Sequence, residues 1–364
     1  MTYTRREVGR LALAGLPAAG LFLRGHDAGA SAFAKPNSKW AGVQVGLNAP
    51  YSFGDNAMSS ADTLAGLLQV GLSGVELRSQ PIELFMGAPA AAVAGRGRGR
   101  GRAAGPAGPA RADAQPAAQP GANRGRGPAP LTPEQEAEEK ANAEVLRKWR
   151  LAAPMAKARE LRKQYEDAGV LIEIVKFDWI CRQGVAAGQT APPLPDDDLL
   201  EYCFQLARAV GARAISTECP TTRMEDTKHV GQFADKHKIW VGYHNHTAVT
   251  PAIWEQAFSY AKYNGANFDI GHFVAGQNTS PIPFLKQHHD RITHMHTKDR
   301  KLNNGPNVPF GQGDTPVKEA LQTIRDNKWN IQATVEFEYP VPQGSTRMAE
   351  IAKSVQFCKD CLLA

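Results

Sequence analysis

The residues best able to do chemistry in this chain cluster toward its C-terminal half. The stretch "ITHMHTKDR", residues 292–300, carries His294, His296 and Lys298. In a strand the side chains alternate with period two, so these three share one face while Thr293, Met295 and Thr297 share the other. A polar row of this kind is either a solvated edge or the inside of a site. Other strand-like runs also end in acids or histidines: Glu76 in "GVELRS", Glu218 in "RAISTE", His244 and His246 in "IWVGYHNH". Asp269 and His272 follow in "ANFDIGH", and Glu336 and Glu338 in "IQATVEFEY". Buried charge is costly unless it is paired or bound to a metal. Imidazole and carboxylate together suit a divalent ion such as Zn, Mn or Co, with a coordination position left open for substrate. The expected ligands are His244, Asp269, His296 and Glu336, with Glu218 a weaker further candidate. His288 and His289, expected on a helix, are read as ordinary packing or surface residues.

The elements that must position this set alternate strictly. Strand one is "AGVQVGLNAPYSF", followed by a helix at "SADTLAGLLQVG", and seven more strand–helix units follow. Thr132, Pro133 and Gln135 form a capping-box start for a long charged helix expected to reach "YEDAGV". Eight such units predict a single-domain (β/α)8 TIM barrel, whose chemistry sits at the C-terminal ends of the strands. No G-x-G-x-x-G follows any strand, which disfavours a doubly wound nucleotide-binding sheet.

Two segments fall outside this pattern. The first, residues 1–34, has Arg5 and Arg6 before an apolar stretch from Leu11 to Leu23, with small residues around Ala32 and Ala34. It reads as a twin-arginine export signal, cleaved after Ala34, and places the mature protein in the periplasm or outside the cell. The second, residues 92–130, holds seven arginines (Arg96, Arg98, Arg100, Arg102, Arg111, Arg124, Arg126) against the single acid Asp113. Seven minus one equals the whole formal net charge of +6, so the rest of the chain is balanced. Its Gly, Ala, Pro and Arg cannot build a core, and a disordered insert within the barrel (35–364) is expected. It lacks the interleaved aromatics that stack on bases, so no nucleic-acid partner is expected. No stretch of the mature chain is apolar for long enough to span a bilayer. The five cysteines have no disulfide-framework spacing, and Cys358 and Cys361 read as packing.

"FDIGH", "HMHTKD", "GQGDTPVKEAL" and "ATVEFE" resemble the xylose isomerase-like TIM barrel family of sugar (phosphate) isomerases and epimerases. The resemblance runs from strand one to the last helix. It implies one divalent ion held by Glu, Asp, His and Glu at four strand ends. Carried over, Asp269, His296 and Glu336 are ligands, while His272 and Lys298 touch substrate. Glu76, His294 and Asn48 are assigned to the substrate side as well. "YHNH" departs from the pattern by placing His244 where many members have a ligand glutamate. The implied chemistry is proton transfer beside a carbonyl through an enediolate, with Glu336 or His246 as base and Lys298 assisting. Isomerisation, epimerisation, or loss or addition of a β-oxygen can all follow from it. Export, and Arg300 as the one arginine expected nearby, favour a free carbohydrate over a phosphate ester. A non-catalytic sugar-binding barrel and a multi-metal endonuclease are the readings from other classes.

Overall fold

Runs of β-branched and aromatic residues become eight parallel strands: β1 Val43–Ala49, β2 Gly74–Arg78, β3 Leu171–Lys176, β4 Ala214–Glu218, β5 Trp240–His244, β6 Asn264–Asp269, β7 Ile292–Thr297 and β8 Gln332–Val335. The computed structural model describes residues 35–94, 132–182 and 193–364. Each strand pairs with the next, and β8 pairs with β1, so the sheet closes into the expected TIM barrel with helices around it. Lys39–Trp40 adds a short antiparallel arm to β1.

The period-two alternation divides the barrel into two environments. Leu47, Leu77, Val241, Phe268, Met295 and Val335 are fully buried, in the layer between strands and helices. Phe268, for example, meets Trp254 and Phe284 of the surrounding helices at ring-centroid distances of 5.5 and 5.0 Å. The alternate residues, Asn48, Glu76, Ser216, Asn267, His294 and His296, form a polar interior. The register puts them level, with Asn48 beside Glu76, Glu218 beside His244 and Asp269 beside His296.

Four expectations need correction. The long helix after Thr132 is two helices, Pro133–Leu151 and Met155–Asp167, because Pro154 lacks an N–H and disfavours helix in the residue before it. Its capping box forms as expected, with Gln135 N donating to Thr132 Oγ1 at 3.3 Å and Thr132 N to Gln135 Oε1 at 2.9 Å. His272 is not on β6 but in the first turn of helix Ile270–Gln277, since Asp269 ends the strand and caps that helix. His288 is the C-cap of helix Ile282–Gln287, so His289 falls beyond it. Finally, Ala92 and Val93 belong to a short helix, Ala90–Ala94, and are buried against Leu146. The barrel's packed structure therefore runs past the predicted start of the insert. The export segment 1–34 and the predicted insert from residue 95 onward lie outside the described residues.

An ion pair holds the two sides of that insertion point. Arg150 Nε and Nη2 donate to Glu83 Oε1 and Oε2 at 2.7 and 3.0 Å, and both side chains are buried. Tyr202 donates its hydroxyl to the same carboxylate at 3.0 Å, and the Arg150 guanidinium lies 4.1 Å from the Trp179 ring centroid.

Candidate metal centre and active site

Polar side chains from β5 to β8 converge at the strands' C-terminal ends. Single ligand atoms of His244, Asp269, His296 and Glu336 all lie within 4.8 Å of one another. Of the ligand atoms in this set, His244 Nδ1 has no hydrogen-bond partner, while Asp269 Oδ2, His296 Nδ1 and Glu336 Oε2 meet one another and Lys298: His296 Nδ1 lies 3.2 Å from Glu336 Oε2, and Lys298 Nζ lies 3.0 Å from Asp269 Oδ2 and 2.5 Å from Glu336 Oε2. In three of these residues the second polar atom is engaged elsewhere. Asp269 Oδ1 accepts from the backbone N–H of His272 at 2.7 Å. Glu336 Oε1 accepts from Asn48 Nδ2 at 2.8 Å. His296 Nε2 lies 2.5 Å from Glu76 Oε2 and 3.2 Å from Asn267 Nδ2. Two imidazoles and two carboxylates turned toward one buried spot, three of them with their second polar atom held elsewhere, form a cradle of metal-ligand type.

Charge in the cradle is set by burial and neighbours. Burial, then Lys176 and His296, hold the His244 imidazole well below its usual range, so it is neutral and able to donate a lone pair. Burial pushes the Glu336 carboxyl up, but Lys298 and His296 pull it well below normal, and it stays ionised. Glu76 is fully buried, with His296 on one oxygen and His294 Nε2 3.4 Å from the other. His294 in turn meets Thr293 Oγ1 through Nδ1 at 2.8 Å. Glu76, His294 and Asn48 thus sit beneath the cradle, where they orient its members.

The rim holds the remaining sequence-assigned residues. Lys298 Nζ lies 3.0 Å from Asp269 Oδ2 and 2.5 Å from Glu336 Oε2, and donates to Glu338 Oε2 at 2.7 Å. Glu338 also accepts from the Tyr51 hydroxyl at 2.5 Å and from Asn307 Nδ2 at 3.2 Å. His272 sits between two cations, with Nε2 3.0 Å from Lys298 Nζ and Nδ1 2.6 Å from Arg300 Nη1. His246 is the exposed member, its ring 4.8 Å from that of His272 and its Nε2 3.5 Å from Glu218 Oε2. Glu218 itself accepts from Lys176 Nζ at 3.0 Å and stands outside the four-residue group. His288 and His289 are remote packing residues, against Phe284 and Trp329.

Sequence reasoning missed three contributors. Arg78 pairs with Asp178 beneath the Tyr51 ring, and Lys176 is a second buried cation, so Arg300 is not the sole positive group nearby. Both lie two residues beyond an inward-facing position, at Glu76 and Ile174, a parity the sequence does display. Asp299 accepts from the backbone N–H groups of Gly311, Gly313 and Thr315 at 2.8, 2.8 and 3.2 Å, which ties "GQGDT" to the end of β7. A Cβ on Gly313 would lie 1.8 Å from Asp299 Oδ1, so glycine is required there.

The backbone resembles solved barrels at low identity. A xylose isomerase domain protein from Alicyclobacillus acidocaldarius matches with a TM-score of 0.53 and 11% identity, over 88% of this chain and 100% of that one. A probable 3-DHS dehydratase from Bacillus anthracis matches with a TM-score of 0.52 and 13% identity, over 86% and 98%. These likenesses speak to the fold. Comparison with curated proteins gives no match. The family model for the xylose isomerase-like TIM barrel matches residues 148–361, from the end of the helix after the insert to the last helix, and so takes in β3 to β8 and the whole cradle. By that match, on a barrel closed by eight parallel strands, the chain is a member of the xylose isomerase-like TIM barrel family.

Proposed function

We propose that the protein is a divalent-metal-dependent isomerase or epimerase acting on a free sugar or keto-sugar. The observation that carries this reading is the convergence of buried His244, Asp269, His296 and Glu336 on one spot, two imidazoles and two carboxylates, a donor set suited to Zn, Mn or Co. A bound ion would polarise a hydroxy-ketone and acidify its neighbouring C–H, favouring an enediolate. The chain's own groups do the rest. Glu336 has one oxygen held by Asn48 and the other in the cradle, so the exposed His246 at the rim is the group placed to move the proton. Glu218 lies against His246 and orients it. Lys298 meets negative charge developing on a substrate oxygen. Arg78, Lys176 and Lys298 each face a carboxylate, which favours an uncharged substrate over a phosphate ester.

A second reading, elimination from or hydration of a 3-keto-sugar, is favoured by the same engagement of Glu336. Epimerisation needs proton delivery to both faces of the carbon, and His246 serves one. Incubating the metal-loaded protein with keto- and aldo-sugars and 3-keto-glycosides in D2O tests both. Deuterium next to the carbonyl, abolished by EDTA and restored by the ion, is the expected result. Loss of a β-substituent identifies the lyase. No exchange with any sugar under Mn, Co or Zn would leave only a sugar-binding barrel. Glu76→Gln should weaken the ion by about 10–100-fold while the barrel stays folded, because it removes the partner that fixes His296. Metal titration checks this. Export is part of the proposal, supported by the sequence of residues 1–34. N-terminal sequencing of the mature chain should begin at Lys35.

A further inference from the structure

The Lys298 ammonium is surrounded as a metal ion would be. Three carboxylate oxygens stand around Nζ: Asp269 Oδ2 at 3.0 Å, Glu336 Oε2 at 2.5 Å and Glu338 Oε2 at 2.7 Å. His272 Nε2 is the fourth neighbour, at 3.0 Å. Two of these atoms, Asp269 Oδ2 and Glu336 Oε2, belong to the cradle as well, so they lie between it and Nζ as bridging carboxylates lie between paired ions. His272, Glu336 and Glu338 also make up a group whose ligand atoms lie within 4.8 Å of one another. The lysine side chain is fully buried, with no outlet to solvent for its charge.

We propose that Lys298 fills a second cation-binding position, so that the site works as one divalent ion paired with a tethered ammonium and would become a two-ion centre without it. This rests on the metal reading of the cradle. Three carboxylates and one ammonium leave a charge of two to be balanced, which suits a single dication.

The test is Mn2+ stoichiometry and EPR on the full chain at pH 8. Wild type should bind one Mn2+ per chain with the six-line signal of an isolated ion. Lys298→Ala should bind two, with the exchange-broadened signal of ions about 3.5–4 Å apart. Adding Glu338→Gln to that variant should return the count to one. Lys298→Met keeps the volume and removes the charge, so it should hold one ion about tenfold more tightly than wild type. It serves where the alanine variant does not fold. One ion in Lys298→Ala, or unchanged or weaker binding in Lys298→Met, overturns the inference and leaves the cradle standing. No Mn2+ in wild type overturns both.

Discussion

Asp269→Asn is expected to strip the divalent ion from the protein while leaving the barrel folded. Asparagine is as good a helix N-cap as aspartate, so Oδ1 can still accept from the His272 N–H and start the helix. In place of Oδ2, however, the amide presents N–H groups to the cradle and to Lys298, 3.0 Å away. Losing a hydrogen-bond partner of a ligand weakens metal sites by about 10–100-fold, so losing the ligand itself should exceed about 100-fold. His296→Ala should do the same with a further loss of stability, because it leaves fully buried Glu76 with His294, 3.4 Å away, in place of its 2.5 Å partner. Elemental analysis after dialysis checks both, and full occupancy in both variants would end this placement. The pH dependence follows. In the ion's absence burial lowers the His296 imidazole, but Glu76 and Glu336 outweigh burial and raise it to about 10. Loading at neutral pH must therefore expel a proton. Apparent affinity should rise about tenfold per pH unit toward pH 10 and fall with acid.

Arg150→Ala should cost about 3–5 kcal/mol of stability, the largest effect expected away from the cradle. The guanidinium makes two short bonds to Glu83, and its removal leaves a carboxylate buried with Tyr202 alone as donor. The cavity beside Trp179 adds to the loss. Replacing both partners by apolar residues, as in Glu83→Leu with Arg150→Met, should recover most of it, since no charge is then stranded. Urea denaturation distinguishes the two cases. A loss under about 1 kcal/mol in Arg150→Ala would mean that water reaches Glu83.

The cradle was legible in the sequence because strand periodicity is local. The spacing of His294, His296 and Lys298 states their shared face, and strand ends rich in His, Asp and Glu state which rim they occupy. What was not legible depends on contacts across the chain. "FDIGH" reads as unbroken strand because Ile270 and Gly271 carry no stop signal. The strand ends there only because Asp269 turns one oxygen back to cap a helix and gives the other to the site. Glu83 and Arg150 are 67 residues apart, and nothing near either announces the other. The partners of Glu218 and Asp299 come likewise from a neighbouring strand and a distant loop. Two kinds of missed feature did carry a local signal: Pro154, a proline inside a helical pattern, and Arg78 and Lys176, in strand parity with inward-facing Glu76 and Ile174.

The clasp of Glu83 on Arg150 and the packing of Ala92 and Val93 on Leu146 join the chain that leaves the barrel after Ala94 to the C-terminal half of the helix Pro133–Leu151. Such a base behaves as a socket. What is plugged into it need not be known to the rest of the molecule, because each doubling of a flexible connection adds only roughly 0.6 kcal/mol of closure entropy. A fluorescent reporter, an affinity handle or a small foreign domain could be joined between Ala94 and Thr132 through flexible linkers. It would sit on the segment that follows the C-terminal end of β2, on the same side of the barrel as the cradle. The architecture thus offers a ready position for a sensor that reports what enters the barrel's mouth.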